Sequence, residues 1–266
     1  GLGGGGIGNV WGETTRSESI STVNLAIESG INHLDMAPMY GKGEAEKVIG
    51  EALKGKNLST LSITTKCRLG TLPDSKVYQK LNDSLSRSLE RMKVEKVNLF
   101  LLHSQLIEDD YQLPLLNEYR ATNATTLSCY YESVIPAFEK LKKEAKIDHW
   151  GIGLGQEEAL IKAINHEQPP EAMQCAANVL NSIGAIGYIS KKPDPNKMLR
   201  ECQKKDIPIL VIRAVQAGAL TSQMDREPHP SGMDKADFDD FEKALPFREL
   251  AEDWGETPAS LAYRYA

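Results

Sequence analysis

Four side chains met in order along the chain can do chemistry together: Asp35, Tyr40, Lys66 and His103. A tyrosine hydroxyl titrates near about 10, too high for easy proton donation at neutral pH. A nearby ammonium favours the phenolate. A carboxylate keeps that ammonium charged and oriented. An imidazole can hydrogen-bond a carbonyl oxygen or assist the proton relay. The set suits reduction of a carbonyl, in which oxygen gains a proton while carbon gains a hydride. No side chain supplies hydride, so this chemistry requires a cofactor. Taken singly, each residue has a structural reading as an ion-pair partner or a satisfied core group. The joint placement carries the argument.

That placement depends on alternating elements. Apolar residues Ile20, Val23 and Ile27 mark a helix ending at Gly30, followed by a strand over 31–35. A helix over about 44–53 and a strand over 61–66 come next. A helix over 74–92 carries Val77, Leu81, Leu85 and Leu89, and a strand follows over 97–102. A polar loop over 104–129 leads to a helix over 133–144. The unit then repeats: strand 149–153, helix 156–165, strand 171–175, helix 195–204 and strand 208–212. A second long loop holds the Pro- and Asp-rich stretch from Arg226 to Asp234, before helices over 238–254 and 257–266. Strand–helix alternation builds a parallel sheet, and an eight-unit barrel is the nearest common closed form. In such a barrel, catalytic groups lie at the C-terminal ends of strands, where Asp35, Lys66 and His103 fall. About seven units can be counted, so an (α/β)8 TIM barrel with its C-terminal strand missing, in one domain over 1–266, is the expected architecture.

Composition narrows the classes. The 266 residues carry 31 basic and 37 acidic side chains, with no basic stretch dense enough for a nucleic-acid face. No run of about 18 apolar residues exists to span a membrane, and the opening lacks the regions of a signal peptide. Cys67, Cys129, Cys175 and Cys202 are scattered, which fits reduced thiols in a cytoplasmic protein better than a zinc or disulfide framework. His33 and Asp35 form His-x-Asp on one strand face, but the other ligands of a metal site are not in place; His33 is taken as a packing residue. Gly1–Gly8 matches GxGxxG, yet lacks the preceding strand and following helix of a Rossmann site. It reads as a flexible loop that lets a ligand approach the backbone.

The run from Gly30 through Asp35 to Tyr40 and Gly41 resembles the signature of the aldo-keto reductase family. Glu44–Leu53 is similar to the helix that follows, Thr64-Thr65-Lys66 to the strand with the family lysine, and Leu101-Leu102-His103-Ser104 to the strand with the histidine. The resemblance covers essentially the whole chain. It implies a barrel enzyme using NADP(H), with NAD not excluded, on a small carbonyl or sugar substrate. Tyr40 would be general acid in reduction and base in oxidation. Lys66 would ease its proton release, Asp35 would pair with Lys66, and His103 would orient the carbonyl. Gln174 resembles the glutamine that binds the nicotinamide carboxamide, and Asn178 fits the same motif. The stretch 209–220 resembles the strand and loop that hold the pyrophosphate. The implied cofactor contacts are Gly5, Gly6, Ile7, Asp35, Gln174, Arg213, Val215, Gly218 and Leu220.

The chain departs from the family in three places. Gly153-Leu154 stands where the family often has Ser-Asn, Ile212 where many members have an aromatic, and Arg213 where many have Ser. The family's 2′-phosphate contacts lie after the last strand, so NADP over NAD follows family habit. Two other readings stay open: a nicotinamide-binding regulatory subunit on the same barrel, and a metal-dependent barrel hydrolase.

Overall fold

A computed structural model describes residues 1–112, 122–187, 189–190 and 192–266. The middle of the expected polar loop, 113–121, lies outside them. Contacts divide the chain into two compact units. One runs through Gly1–Tyr111 and on to Gly153, the other through Leu154–Ala266.

The first unit opens on β1 (Leu2–Gly3) and the short helical turn α1 (Gly4–Ile7). The glycines were expected as loop, but Gly8 N donates to Gly4 O at 3.0 Å and closes a turn. α2 (Arg16–Glu28) starts at a capping box in which Thr15 and Glu18 satisfy each other's backbone N–H. β2 (His33–Asp35), α3 (Glu44–Ala52), β3 (Ser62–Cys67), α4 (Asp74–Met92) and β4 (Val97–Ile107) follow. The buried positions of α4 are Val77, Leu81, Leu85, Ser88 and Met92, the three- and four-residue spacing of one helix face. β1, β2, β3 and β4 pair in that order, all parallel.

β4 runs to Ile107 rather than stopping near 102, because β5 (Ala124–Thr126) pairs parallel with its end, Gln105 opposite Ala124. Part of the expected loop is therefore strand. α5 (Leu127–Cys129), a π-helical turn over Tyr130–Val134, and α6 (Ile135–Lys143) lead to β6 (Ile147–Gly155), which pairs with β4. Phe138 stacks on Trp150 at 5.5 Å and meets Phe100 edge-on at 5.7 Å, joining α6 to β6 and β4.

Behind β3 sits a buried charge. Glu46 on α3 is fully buried; its carboxylate accepts from Thr65 Oγ1 at 2.7 Å and pairs with Arg91 of α4 at 2.6 Å. Losing one member of such a set strands the other in a poor dielectric. Glu46→Ala is expected to destabilise the fold by roughly 2–3 kcal/mol, part of the usual cost being relieved by water at the partly exposed Arg91. Urea titration of the variant checks this; an unchanged midpoint would show that the pair adds no stability.

The second unit contains α7 (Glu157–Ile164), β7 (Ala172–Ala176), α8 (Pro195–Lys204), β8 (Ile209–Ile212), α9 (Lys235–Lys243), α10 (Leu245–Asp253) and α11 (Pro258–Tyr265). β7 and β8 pair parallel, Gln174 opposite Leu210. The helix expected over 238–254 is two helices. Pro246 in the first turn of α10 has no N–H to continue the ladder from α9. Leu220, Ala244 and Ala262 form a buried cluster with Leu180, Val215 and Phe247 packed against it. Among the described residues no helix is long and apolar enough to cross a membrane.

Candidate active site

Strand register brings three of the four proton-chemistry residues to one face. Asp35 of β2 lies opposite Thr64 of β3. Two residues on, Lys66 shares the face of Thr64 and lies opposite Leu101 of β4. Two residues further, His103 shares the face of Leu101. Each strand thus carries its polar group two residues beyond its neighbour's, the stagger expected of tilted strands in a closing sheet.

Tyr40 arrives from a turn. The chain leaves β2 through Met36, whose N–H donates to Thr64 O at 2.8 Å, and Tyr40 N–H donates to Ala37 O at 3.0 Å. Gly41, Lys42 and Gly43 then have φ of 61°, 53° and 90°, three left-handed residues that aim the chain into α3. A Cβ on Gly41 would lie 2.4 Å from Gly8 O, and one on Gly8 would lie 2.9 Å from the Tyr40 carbonyl carbon. The glycine-rich opening therefore packs directly on the backbone that carries the tyrosine.

The Lys66 ammonium is fully buried and uses its three protons on three acceptors. Asp35 Oδ1 lies at 2.7 Å, Met36 O at 2.9 Å and Tyr40 Oη at 3.3 Å. The nitrogen also sits 4.9 Å from the Tyr40 ring centre. Burial alone would push this ammonium's pKa down; the Asp35 carboxylate and the Tyr40 oxygen outweigh it and hold the value above the ordinary lysine range. Lys66 therefore remains charged, aimed at the phenolic oxygen.

His103 is partly buried at the matching position of β4. Burial, then the charges of Lys66 and Arg68, push its pKa well below the usual histidine value, so it stays neutral at physiological pH. A neutral imidazole has one donor and one acceptor nitrogen, as an orienting group for a carbonyl oxygen needs. Linkage sets the sign. Protons bind more readily to the unfolded chain, so this contribution to stability is present above about pH 6.5 and fades as pH falls. His33, also lowered by burial, acts in the same direction. The melting temperature of wild type should therefore drop more between pH 7 and pH 5 than that of His103→Gln; parallel curves would refute a depressed His103.

His33 places Nε2 3.1 Å from Thr64 Oγ1, a cross-strand contact. Three supports had no sequence signal beyond their polarity. The Met36 carbonyl is Lys66's second acceptor. Ser104 Oγ accepts from Leu69 and Gly70 N–H at 2.7 and 2.9 Å, holding the chain after Lys66. Glu46 and Arg91 back the other face of β3.

The expected cofactor residues divide between the two units. In the first, Ile7 is buried, Gly5 lies against the indole of Trp11, and Gly6 has open space where a side chain would be. In the second, Gln174 is buried within β7. Asn178 is a clamp: its amide donates to Ser182 O at 2.7 Å and Arg213 O at 3.2 Å. Arg213 has φ 57° and pairs with the buried Asp237 of α9 at 2.7 Å. Val215 and Leu220 face the apolar cluster, and Gly218 takes φ 97° in the turn between them. Gln216 Nε2 donates to the buried Asp240 at 2.7 Å, a contact the sequence reading missed.

The profile of the family described as Aldo/keto reductase family matches residues 1–266. An oxidoreductase of Bacillus subtilis described as uncharacterized, YqkF, is 24% identical over 268 residues, covering 95% of this chain and 76% of its own. The methylglyoxal reductase YeaE of Escherichia coli is 29% identical over 215 residues, covering 77% of this chain and 61% of its own. This chain thus spans about three quarters of the first relative and three fifths of the second. Among solved structures, the glycerol dehydrogenase AKR11B4 of Gluconobacter oxydans superposes with a TM-score of 0.69 at 22% identity, covering 99% of this chain and 77% of its own. An aldo-keto reductase of Klebsiella pneumoniae in complex with NADPH superposes with a TM-score of 0.61 at 20% identity, covering 98% and 74%. These likenesses show an α/β fold of the (α/β)8 barrel class. The chain belongs to the aldo/keto reductase family.

Proposed function

We propose that this protein is an NADPH-dependent reductase of small aldehydes, ketones or sugars, working as one barrel domain over 1–266 in the cytoplasm, with Tyr40 as general acid and base. One observation carries the reading: a fully buried, charged Lys66 held by Asp35 at 2.7 Å donates to Tyr40 Oη at 3.3 Å. A buried ammonium is costly unless paired, and here part of its hydrogen bonding is directed at a phenol rather than at carboxylates alone. As the carbonyl oxygen gains charge, Tyr40 gives it a proton, Lys66 stabilises the phenolate left behind, and neutral His103 holds the oxygen in line.

The bound nicotinamide supplies the hydride. Gln174, a buried carboxamide, suits the amide of a nicotinamide ring, and Asp35 would meet the cofactor beside Lys66. Because Ile7, Val215 and Leu220 turn their side chains into the core, Gly5, Gly6, Ile7, Val215, Gly218 and Leu220 would contact the cofactor through backbone. Arg213, committed to Asp237, would steady the turn that follows it. The choice of NADPH over NADH is supported by relatives solved with NADPH or NADP. Carbonyl or sugar substrates are supported by relatives described as methylglyoxal reductase and L-galactose dehydrogenase.

A screen of NADPH and NADH oxidation against aldehydes, ketones and sugars tests the proposal. Turnover of at least one class is expected. Tight cofactor binding with no turnover would point instead to a nicotinamide-sensing subunit. Stoichiometric zinc without nicotinamide binding would point to a barrel hydrolase.

A further inference from the structure

Between Ile63 and Gly70 every residue is buried except Arg68. It lies two residues after Lys66, just past the end of β3 at Cys67. Its backbone is fixed on one side by the buried Cys67 and on the other by Leu69 and Gly70, whose N–H groups donate to Ser104 Oγ. The guanidinium reaches the exposed Met39, next to Tyr40, with Nη2 3.6 Å from the thioether sulfur. Among the described residues no carboxylate pairs with it. Lys66 is neutralised by Asp35, so among the described residues Arg68 adds a positive charge beside Tyr40 that no carboxylate pairs, on a chain whose net charge is -6.

We propose that Arg68 is a specificity-determining residue that binds an anionic group, carboxylate or phosphate, on the carbonyl substrate. The proposal rests on Tyr40 being the site of proton transfer. A guanidinium offers a planar pair of donors that matches either anion, and a weakly held thioether contact gives it up easily. Two residues of chain span at most roughly 7 Å, so the anion would sit a few bonds from the reacting carbonyl. The charge of Arg68 also helps to keep His103 neutral, which places the guanidinium within electrostatic reach of the imidazole.

The test compares matched probes: 4-oxobutanoate against butanal, and glyceraldehyde 3-phosphate against glyceraldehyde, with wild type, Arg68→Met and Arg68→Lys. Wild type should prefer the anionic member of at least one pair, and that pair identifies the anion. Arg68→Met should lower kcat/KM for that member about tenfold, mainly through KM, and change the neutral member less than about twofold. Arg68→Lys should recover part of the loss. Equal effects on both members, or no anionic preference in wild type, would overturn the proposal. A second measurement needs no turnover. Phenylglyoxal labelling of Arg68, read by peptide mass without cofactor, should be slowed by 4-oxobutanoate or by glyceraldehyde 3-phosphate but not by their neutral partners. If no carbonyl is reduced, the reductase reading fails, and labelling alone decides the anion site: protection upholds it and none overturns it.

Discussion

Tyr40→Phe is expected to lower kcat for carbonyl reduction by about 100- to 10,000-fold, the range associated with losing a positioned proton donor. Cofactor affinity should change little, because the variant loses one oxygen and keeps the ring. The ring's contact with the Lys66 ammonium, 4.9 Å from its centre, is preserved, so the turn from Met36 to Gly43 keeps its shape. Lys66 retains its two shorter bonds, to Asp35 and the Met36 carbonyl, and loses only the 3.3 Å contact to the phenol. Steady-state kinetics with a responsive aldehyde, together with titration of cofactor fluorescence, separates the two effects. Wild-type kcat in Tyr40→Phe would remove the tyrosine from the chemistry. A parallel collapse of cofactor binding would mean that the substitution disturbed the fold instead.

Asp35→Ala should do more damage than its position at the end of a short strand suggests. Lys66 has no exposure to water, so removing its carboxylate leaves an ammonium with a backbone carbonyl and a phenol as partners. Breaking a buried pair in this way costs roughly 3–5 kcal/mol. Lys66→Met should cost less stability, since Asp35 retains some exposure and can recruit water, yet it should reduce turnover comparably by removing the charge that stabilises the phenolate. The double variant Asp35→Ala/Lys66→Met should recover stability but not activity. Chemical denaturation and kinetics on all three distinguish the roles; additive stability losses in the double variant would contradict a direct pair. Linkage gives a further check. Lys66 is held above its unfolded value, so its contribution is complete below about pH 10.4 and is lost as pH rises through the folded value. Wild type should therefore lose its margin over the double variant only in strong alkali.

The parts of this protein that could be read in the sequence follow from local periodicity. α4 matches the expected 74–92 because Val77, Leu81 and Leu85 repeat every four residues on one face. Asp35, Lys66 and His103 stood out because each is polar and ends an apolar run. The misjudged stretches depend on partners far away in sequence. Ser104 and Gln105 looked like loop, but Ser104 is buried in β4 because N–H groups 34 and 35 residues earlier need an acceptor. Asp237 and Asp240 follow the Pro- and Asp-rich stretch, and nothing local marks them for burial. Both are buried because Arg213 and Gln216, 24 residues before each, bind them. The Met36 carbonyl could not be foreseen, since every residue has one and only the turn geometry selects it.

The back-to-back contacts of β3 have a consequence for register. Thr65 holds Glu46 on one side while Lys66 holds Asp35 on the other, at the same 2.7 Å. A slip of one residue would turn the lysine toward the helices and the threonine toward the tyrosine, undoing both contacts at once. Neighbouring positions thus act as a lock and its catch: the strand is indexed by charge on two sides. A one-residue insertion within β3 would erase the site whichever way the chain accommodated it, whereas the same insertion in the loop between α3 and β3 would leave the index untouched.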